Sequence, residues 1–488
     1  MVKGDSMEKN NFLKHFAIIG GGTFFNLLLG LITTPLITRI VDPIEYGQLS
    51  IFTMYSNIAL MILCMGLDQA VVRYYYESDK IEYKRALLFR CIQLPVLVSI
   101  ICSVIMIAGS VTGLITFEFN SLIIIMLCLY TIVQIIYRFS LLIVRLEFKS
   151  KIYSMLSIIL KASYILIAIP LILLLKREYL LLLVIATVSS AVICMVVSIL
   201  VQARIWNFFI NDDKACTISR RELITYAYPY IISMGVTTFF QAIDKLSLNY
   251  YCTYKEVGIY ASTMTLVHIF SIIQTTFNTL WAPMAVEHYT KDTEDRSFYI
   301  KGNQIITVIM FFVGISLILV KDVFAILLGE KYREAAYILP FLIFNPIMYT
   351  ISETTVNGLV FMKKSKMQVV VAVGACITNI VGNTLLVPQL GCKGAAISTG
   401  LSYIVFFTLR TVLSNRYFKV DFKLKKFYIL TFIVCCYAFY NTFISFNVGA
   451  IMGYFICLAI LVILYFGTVK WGILYLKNTV MDVCSKKH

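Results

Sequence analysis

The chain has 488 residues, 60% of them hydrophobic and only 14% charged, a balance that excludes a soluble globular enzyme and points to a polytopic membrane protein. Lys and Arg outnumber Asp and Glu by 42 to 26, for a net charge of +16; in a membrane protein such an excess collects in cytoplasmic loops, so no nucleic-acid partner is expected. The 13 cysteines lie mostly in apolar runs without CxxC or Cys/His spacing, which predicts small core side chains, no disulfide framework, no metal site and no cofactor.

The polar N-terminus, Met1 to Phe16, leads into a long apolar helix without a small-residue cleavage site, and reads as a retained span. About fourteen segments approach the length a bilayer requires. They cover residues 15–40, 47–72, 91–114, 119–144, 152–175, 179–204, 223–250, 257–284, 302–320, 336–361, 367–388, 394–414, 427–446 and 448–469. A short polar turn, Asp42-Pro43-Ile44-Glu45-Tyr46-Gly47, joins the first two; the second ends in Gly66-Leu67-Asp68 and closes with Arg73-Tyr74-Tyr75-Tyr76. No connection is long enough for a soluble domain, and the longest, about Ile205 to Arg221, divides the chain between spans six and seven. The expected organisation is an N-lobe at 1–210, a C-lobe at 211–420, and helices 13 and 14 with a tail at 421–488. Gly20-Gly21-Gly22 with Pro35, and Pro229 with Gly235, put bend-prone sites in the opening helix of each half; close helix packing accounts for the same glycines.

Loop charge sets the orientation. Lys80, Lys84 and Arg85, Arg220 and Arg221, Lys363, Lys364 and Lys366, and Lys419, Lys423, Lys425 and Lys426 all fall on one side, which the positive-inside rule assigns to the cytoplasm. An even number of spans then places both termini there. An internal repeat supports the same scheme. Glu147-Phe148-Lys149-Ser150-Lys151 opens span five, and Met362-Lys363-Lys364-Ser365-Lys366 opens span eleven 215 positions later. The Glu45-x-Gly47 turn recurs as Glu256-x-Gly258, 211 positions on. Six spans per half gives halves of one orientation, a parallel repeat with an expected site at its interface and alternating access.

The stretch from Thr33 to Glu77 resembles the N-terminal signature of the bacterial polysaccharide flippases, the Wzx-like lipid-linked oligosaccharide translocases. The matching residues are Asp42-Pro43 with Tyr46-Gly47, where the family usually has Gly before the Pro, then Gly66-Leu67 with Arg73. The resemblance implies an all-α integral membrane protein of the multidrug, oligosaccharidyl-lipid and polysaccharide exporter superfamily. Its two parallel six-helix lobes would enclose a central cavity, with two extra C-terminal helices. It implies a transporter, not an enzyme, in the bacterial cytoplasmic membrane. An undecaprenyl-diphosphate-linked oligosaccharide repeat unit would move from the inner to the outer leaflet for capsule, exopolysaccharide or O-antigen-type synthesis. The expected partners are that lipid-linked oligosaccharide on its polyprenyl diphosphate carrier, membrane lipids, and the polymerase and chain-length proteins of the pathway. No GxxxxGK[ST] loop is present, so an ion gradient, the membrane potential or the substrate gradient must supply energy. Two rivals stand beside this reading: an ion-coupled multidrug exporter of the same superfamily, and a membrane polysaccharide polymerase, which the lack of a sizeable loop disfavours.

Charge at membrane depth is costly and marks candidate sites. Lys161 lies ten residues past Lys151, about 15 Å into the bilayer at ~1.5 Å per residue. It is the main candidate for a cationic cavity that attracts lipid-borne phosphate, against a Lys paired for packing. Arg138, Lys245, Arg39 and Arg73 complete the candidate substrate-binding set, with interface anchoring the simpler reading for Arg39, and anchoring equally open for Arg73 and Lys245. Glu353, Asp68, Asp244 and His268 form the candidate gate or ion-coupling set. Arg138 and Glu353 are 215 positions apart and hence equivalent in the repeat, so a salt bridge across the inner cavity mouth is one expectation; pairing within each lobe is the other. Asp68 either pairs with Arg138 or responds to protons, Asp244 and Lys245 need not pair with each other, and His268 reads as hydrogen-bonded packing before proton relay.

Overall fold

The computed structural model describes residues 29–113, 118–207, 215–472 and 474, and every regular element among them is helical. Eleven helices are long and apolar enough to cross a bilayer, or up to thirteen if two bent pairs each form one span. The remaining expected span is represented by α1 (Leu29–Thr38); its first part, with Gly20-Gly21-Gly22, lies outside the described residues. The chain divides into two compact units, Met1–Ala242 and Ile243–His488.

The first unit contains α1, α2 (Pro43–Leu63), α3 (Leu67–Tyr74), α4 (Ile81–Val111), α5 (Ser121–Leu146), α6 (Ser150–Leu175), α7 (Tyr179–Val201) and the opening of α8 (Arg220–Tyr251). The Asp42 turn is a helix cap. Its carboxylate accepts from the Ile44 N–H at 3.3 Å, the Glu45 carboxylate returns to the Asp42 N–H at 3.1 Å, and Pro43 occupies the first turn, where its missing N–H costs nothing. Asp42 at the usual Gly position therefore has a local use. Between α2 and α3 the axis bends by 55° at Gly66, whose φ of 69° is left-handed. A Cβ there would lie 2.6 Å from the Ala227 carbonyl oxygen, so only glycine fits. Below the bend, Leu67, Val71 and Tyr74 pack with Leu87, Cys91, Phe139 and Ile143 in one core. Leu223 and Ala227 of α8 join this core, as do Ile205, Cys216 and Ile218 of the α7–α8 connection. Arg85 fastens that connection: its Nε and Nη2 donate to the Arg204 carbonyl at 3.2 and 3.0 Å, and Arg90 Nη1 donates to the Ile218 carbonyl at 2.6 Å. Arg85, expected as a loop cation, is buried and serves the backbone.

The second unit continues through α9 (Tyr254–Val267), a 3₁₀ turn (His268–Phe270), α10 (Ser271–Lys291), α11 (Ser297–Leu319), α12 (Lys321–Leu328), α13 (Ala335–Leu342), α14 (Phe344–Thr355), α15 (Asn357–Phe361), α16 (Ser365–Leu390), α17 (Cys392–Asn415), α18 (Leu424–Phe443) and α19 (Val448–Leu464). A last helix, α20 (Phe466–Gly472), leaves α19 at 92°. α16 and α17 form a tight antiparallel hairpin, with α14 packed on α17. Small residues allow the close approach: a Cβ on Gly382 would meet Ser398, and one on Gly394 would meet the Leu386 carbonyl oxygen at 2.4 Å. At the α10–α11 turn, Asp295 accepts from the Ser297 N–H at 2.8 Å and faces His288 Nε2 at 3.0 Å. The Ser297 hydrogen bonds hold its carboxyl below the usual carboxylate range.

Candidate functional site

In the first unit the charges at depth meet where the Gly66 bend aims α3. Asp68, in the first turn of α3, is 3% exposed. Its Oδ2 accepts from Arg138 Nη2 at 2.6 Å and Nε at 3.0 Å, and from Gln69 Nε2 at 3.1 Å. The anion would be unaffordable so deep without its cation. Of the two readings for Asp68, the structure gives the pair with Arg138. Lys161 is half-buried on α6, with no hydrogen bond or ion pair among the described residues. Arg73 lies at the end of α3, exposed, 3.5 Å from Glu77 and over the Tyr74 ring at 5.3 Å. Arg39, just past α1, is exposed. A cavity of about 590 Å³ opens between α2, α4 and α5, with Tyr55, Glu118 and Thr131 among otherwise mostly apolar walls.

In the second unit two clusters stand out. The first surrounds Asp244, which is 6% exposed. Tyr260 Oη and Thr399 Oγ1 donate to its Oδ2 at 2.7 and 2.8 Å; Asn379 Nδ2 and Asn383 Nδ2 donate to its Oδ1 at 3.1 and 2.8 Å. Four elements, α8, α9, α16 and α17, thus converge on one carboxylate with neutral groups only. The Asn383 Oδ1 atom is buried without a hydrogen-bond partner among the described residues. Lys245, next in sequence, is half-buried and without an ion pair among the described residues. His268 opens the 3₁₀ turn and is exposed; its ring makes no hydrogen bond among the described residues, contrary to the packed reading.

The second cluster holds Glu353 on α14. Arg410 Nη1 of α17 donates to Glu353 Oε1 at 2.8 Å and to Ser352 Oγ at 2.6 Å. The Arg410 guanidinium lies over the rings of Tyr349 and Phe406, each at 5.5 Å, and both pair members are about 10% exposed. The expected salt bridge between Arg138 and Glu353 is therefore corrected: Arg138 pairs with Asp68 and Glu353 with Arg410, each inside its own unit. The physical reason is proximity within a unit, where two helices already packed together can neutralise a buried charge directly.

Sequence reasoning misses Arg410, although a cation four positions inside the end of the 394–414 segment is a visible signal. It also misses Asn379 and Asn383, spaced i, i+4 on one face of an apolar helix, with Tyr260 and Thr399.

Comparison with known proteins follows the same lines. The sequence matches the family described as "Polysaccharide biosynthesis protein" over residues 12–288. Among curated relatives it is 22% identical over 201 residues to the "Probable low-salt glycan biosynthesis flippase Agl15" of Haloferax volcanii, covering 40% of this chain and 42% of that one. It is 22% identical over 276 residues to the "Uncharacterized membrane protein MJ1068" of Methanocaldococcus jannaschii, covering 54% of each. The matches thus span about half the length of these relatives. Among solved structures the fold is similar to "Lipid II flippase MurJ, inward closed conformation", with a TM-score of 0.67, 14% identity, and 95% of this chain and 100% of that chain covered. It is also similar to an inward-facing multidrug resistance MATE family transporter, with a TM-score of 0.54, 13% identity, and 81% and 94% covered. With a family match over more than half its length and a helical membrane fold of the type seen in MurJ and the MATE transporters, the chain belongs to the polysaccharide biosynthesis protein family.

Proposed function

We propose that the protein is a flippase that carries a lipid-linked oligosaccharide, on a polyprenyl diphosphate, from the inner to the outer leaflet by alternating access of two lobes. The observation that carries the reading is the family match, on a chain whose two units each hold paired charge within apolar helices. Lys161 is the group proposed to meet the diphosphate. It is a half-buried ammonium on an apolar helix with no acceptor among the described residues, and an ammonium is a compact point charge suited to phosphate. The Asp244 cluster is proposed as the coupling element, because a buried carboxylate ringed by neutral donors can exchange a proton or a small cation without disrupting an ion pair. The test is complementation: in a strain lacking its own flippase, the chain should restore surface polymer and clear the lipid-linked precursor from the inner leaflet. Precursor that stays in place while the chain is inserted at normal abundance defeats the proposal.

The Asp244 carboxylate also keeps a second reading in view, an ion-coupled multidrug exporter, since the fold is shared with MATE transporters. That reading expects the chain to lower accumulation of cationic dyes in the same strain without changing polymer.

A further inference from the structure

Neither the charged pairs nor the Asp244 cluster uses the far end of the second unit. There α19 stops at Leu464 and α20 departs at 92°. A helix turned a right angle from an apolar helix lies across its axis, at its end. Between α20, the end of α19 and the beginnings of α11 and α18 lies a cavity of about 580 Å³. Lys301, Lys426, Gln304 and Thr468 supply its polar wall and Trp471 an aromatic one. Lys426 Nζ donates to the Leu464 carbonyl at 3.1 Å, which fixes the ammonium at the end of α19 and leaves it further donors. Thr468 Oγ1 donates to Gln304 Oε1 at 3.1 Å and ties α20 to α11. Lys301 makes no hydrogen bond or ion pair among the described residues, and none of the lining residues is acidic. Beside the polar wall, Ile463 and Phe466 are 72% and 62% exposed, an apolar surface continuous with the pocket.

We propose that this pocket binds the phosphate of an anionic phospholipid from the leaflet it faces. The phosphate sits between Lys301 and Lys426, the headgroup reaches Gln304 and Thr468, and the acyl chains cover Ile463 and Phe466. Two ammonium groups without a carboxylate call for a phosphate, because a Lys is a compact charge that phosphate oxygens can share. Adjacent apolar surface and an interfacial Trp call for that phosphate to be carried by a lipid, which a free ion would leave uncovered.

The experiment places the full chain in phosphatidylcholine nanodiscs doped with phosphatidylglycerol bearing brominated chains. Trp471 emission is read as the difference between wild type and Trp471→Phe. Brominated phosphatidylglycerol should quench it several-fold more than brominated phosphatidylcholine at equal mole fraction. Lys301→Gln with Lys426→Gln should remove the excess, and Lys301→Arg with Lys426→Arg should keep most of it. Lys301→Gln alone, which breaks no contact among the described residues, should at least halve the excess and guards against misfolding of the pair variant. Millimolar inorganic phosphate should leave the excess in place. Equal quenching by the two lipids, an excess that survives both Gln variants, or its removal by inorganic phosphate would each overturn the proposal.

Discussion

Arg410 and Glu353 show what a buried charge needs. Both are about 10% exposed and each satisfies the other at 2.8 Å. Removing one partner of a buried pair costs about 3–5 kcal/mol, since the other is left charged in a poor solvent, whereas replacing both by apolar groups is often neutral. Arg410→Met alone should therefore lower the melting temperature strongly, and Arg410→Met with Glu353→Leu should recover most of the loss. Thermal melts in detergent at matched protein concentration check this; equal losses in single and double variants would mean the pair contributes nothing. Asp68 and Arg138 should follow the same pattern more weakly, because the Arg138 side chain is 33% exposed and water offsets part of the penalty. Lys161 belongs to a different class. Lacking a partner among the described residues, it has no ion pair there to lose, so Lys161→Ala should leave abundance near normal; under the proposed function it should abolish polymer export, and Lys161→Arg should retain more. Wild-type export by the Ala variant would return Lys161 to packing. The sequence exposed most of these residues through depth alone, but not who pairs with whom: equivalence in a repeat aligned Arg138 with Glu353, while contact between helices of one lobe decided their partners.

Among the elements, the α2–α3 break is the one whose geometry the site depends on. Ala at position 66 would meet two costs: the left-handed backbone, about 1–2 kcal/mol for a residue with a Cβ, and a contact of 2.6 Å with the Ala227 carbonyl, a backbone atom that cannot swing aside. Gly66→Ala should therefore destabilise the protein and impair export together. Gly30→Ala, with nothing among the described residues within 4 Å of the added carbon, should do neither. Equal behaviour of the two variants, in melting and export assays, would remove the bend from the argument. The paired Glu turns teach a related lesson. Both were visible as a repeat, yet Glu45 caps its own helix while Glu256 accepts the Cys392 N–H at 2.7 Å and caps α17. A repeated motif fixed where a carboxylate stands, and the neighbouring helices decided which backbone it serves. The presence of the spans was legible because apolar length is a one-dimensional signal, but not every end: α4 begins at Ile81, ahead of the expected residue 91, and the expected 336–361 span is broken into α13, α14 and α15. The 55° and 92° bends were not legible, since a left-handed residue or a turned terminus leaves no trace in hydropathy.

At the scale of the whole molecule, the expectation of about fourteen spans meets the helical fold, and orientation is the property that a labelling experiment can decide. The native Cys216 and Cys392 are buried, so engineered sites serve better. In a cysteine-free chain, Lys176→Cys at the α6–α7 turn should react with an impermeant maleimide on intact cells, while Lys423→Cys before α18 should react only after permeabilisation. The reverse result would invert the positive-inside assignment. The pairing inside each unit reaches further, into how such a chain is made. The Asp68–Arg138 partners are 70 residues apart and the Glu353–Arg410 partners 57, each pair inside its own unit. Synthesis delivers the N-terminal unit first, and domains fold as they emerge. By the time α5 has entered the bilayer, the acid at position 68 already has its base, with no need to wait for the second half of the polypeptide. From that point on, the intermediate presents no orphan acid at that site, whatever remains of the second unit to be made.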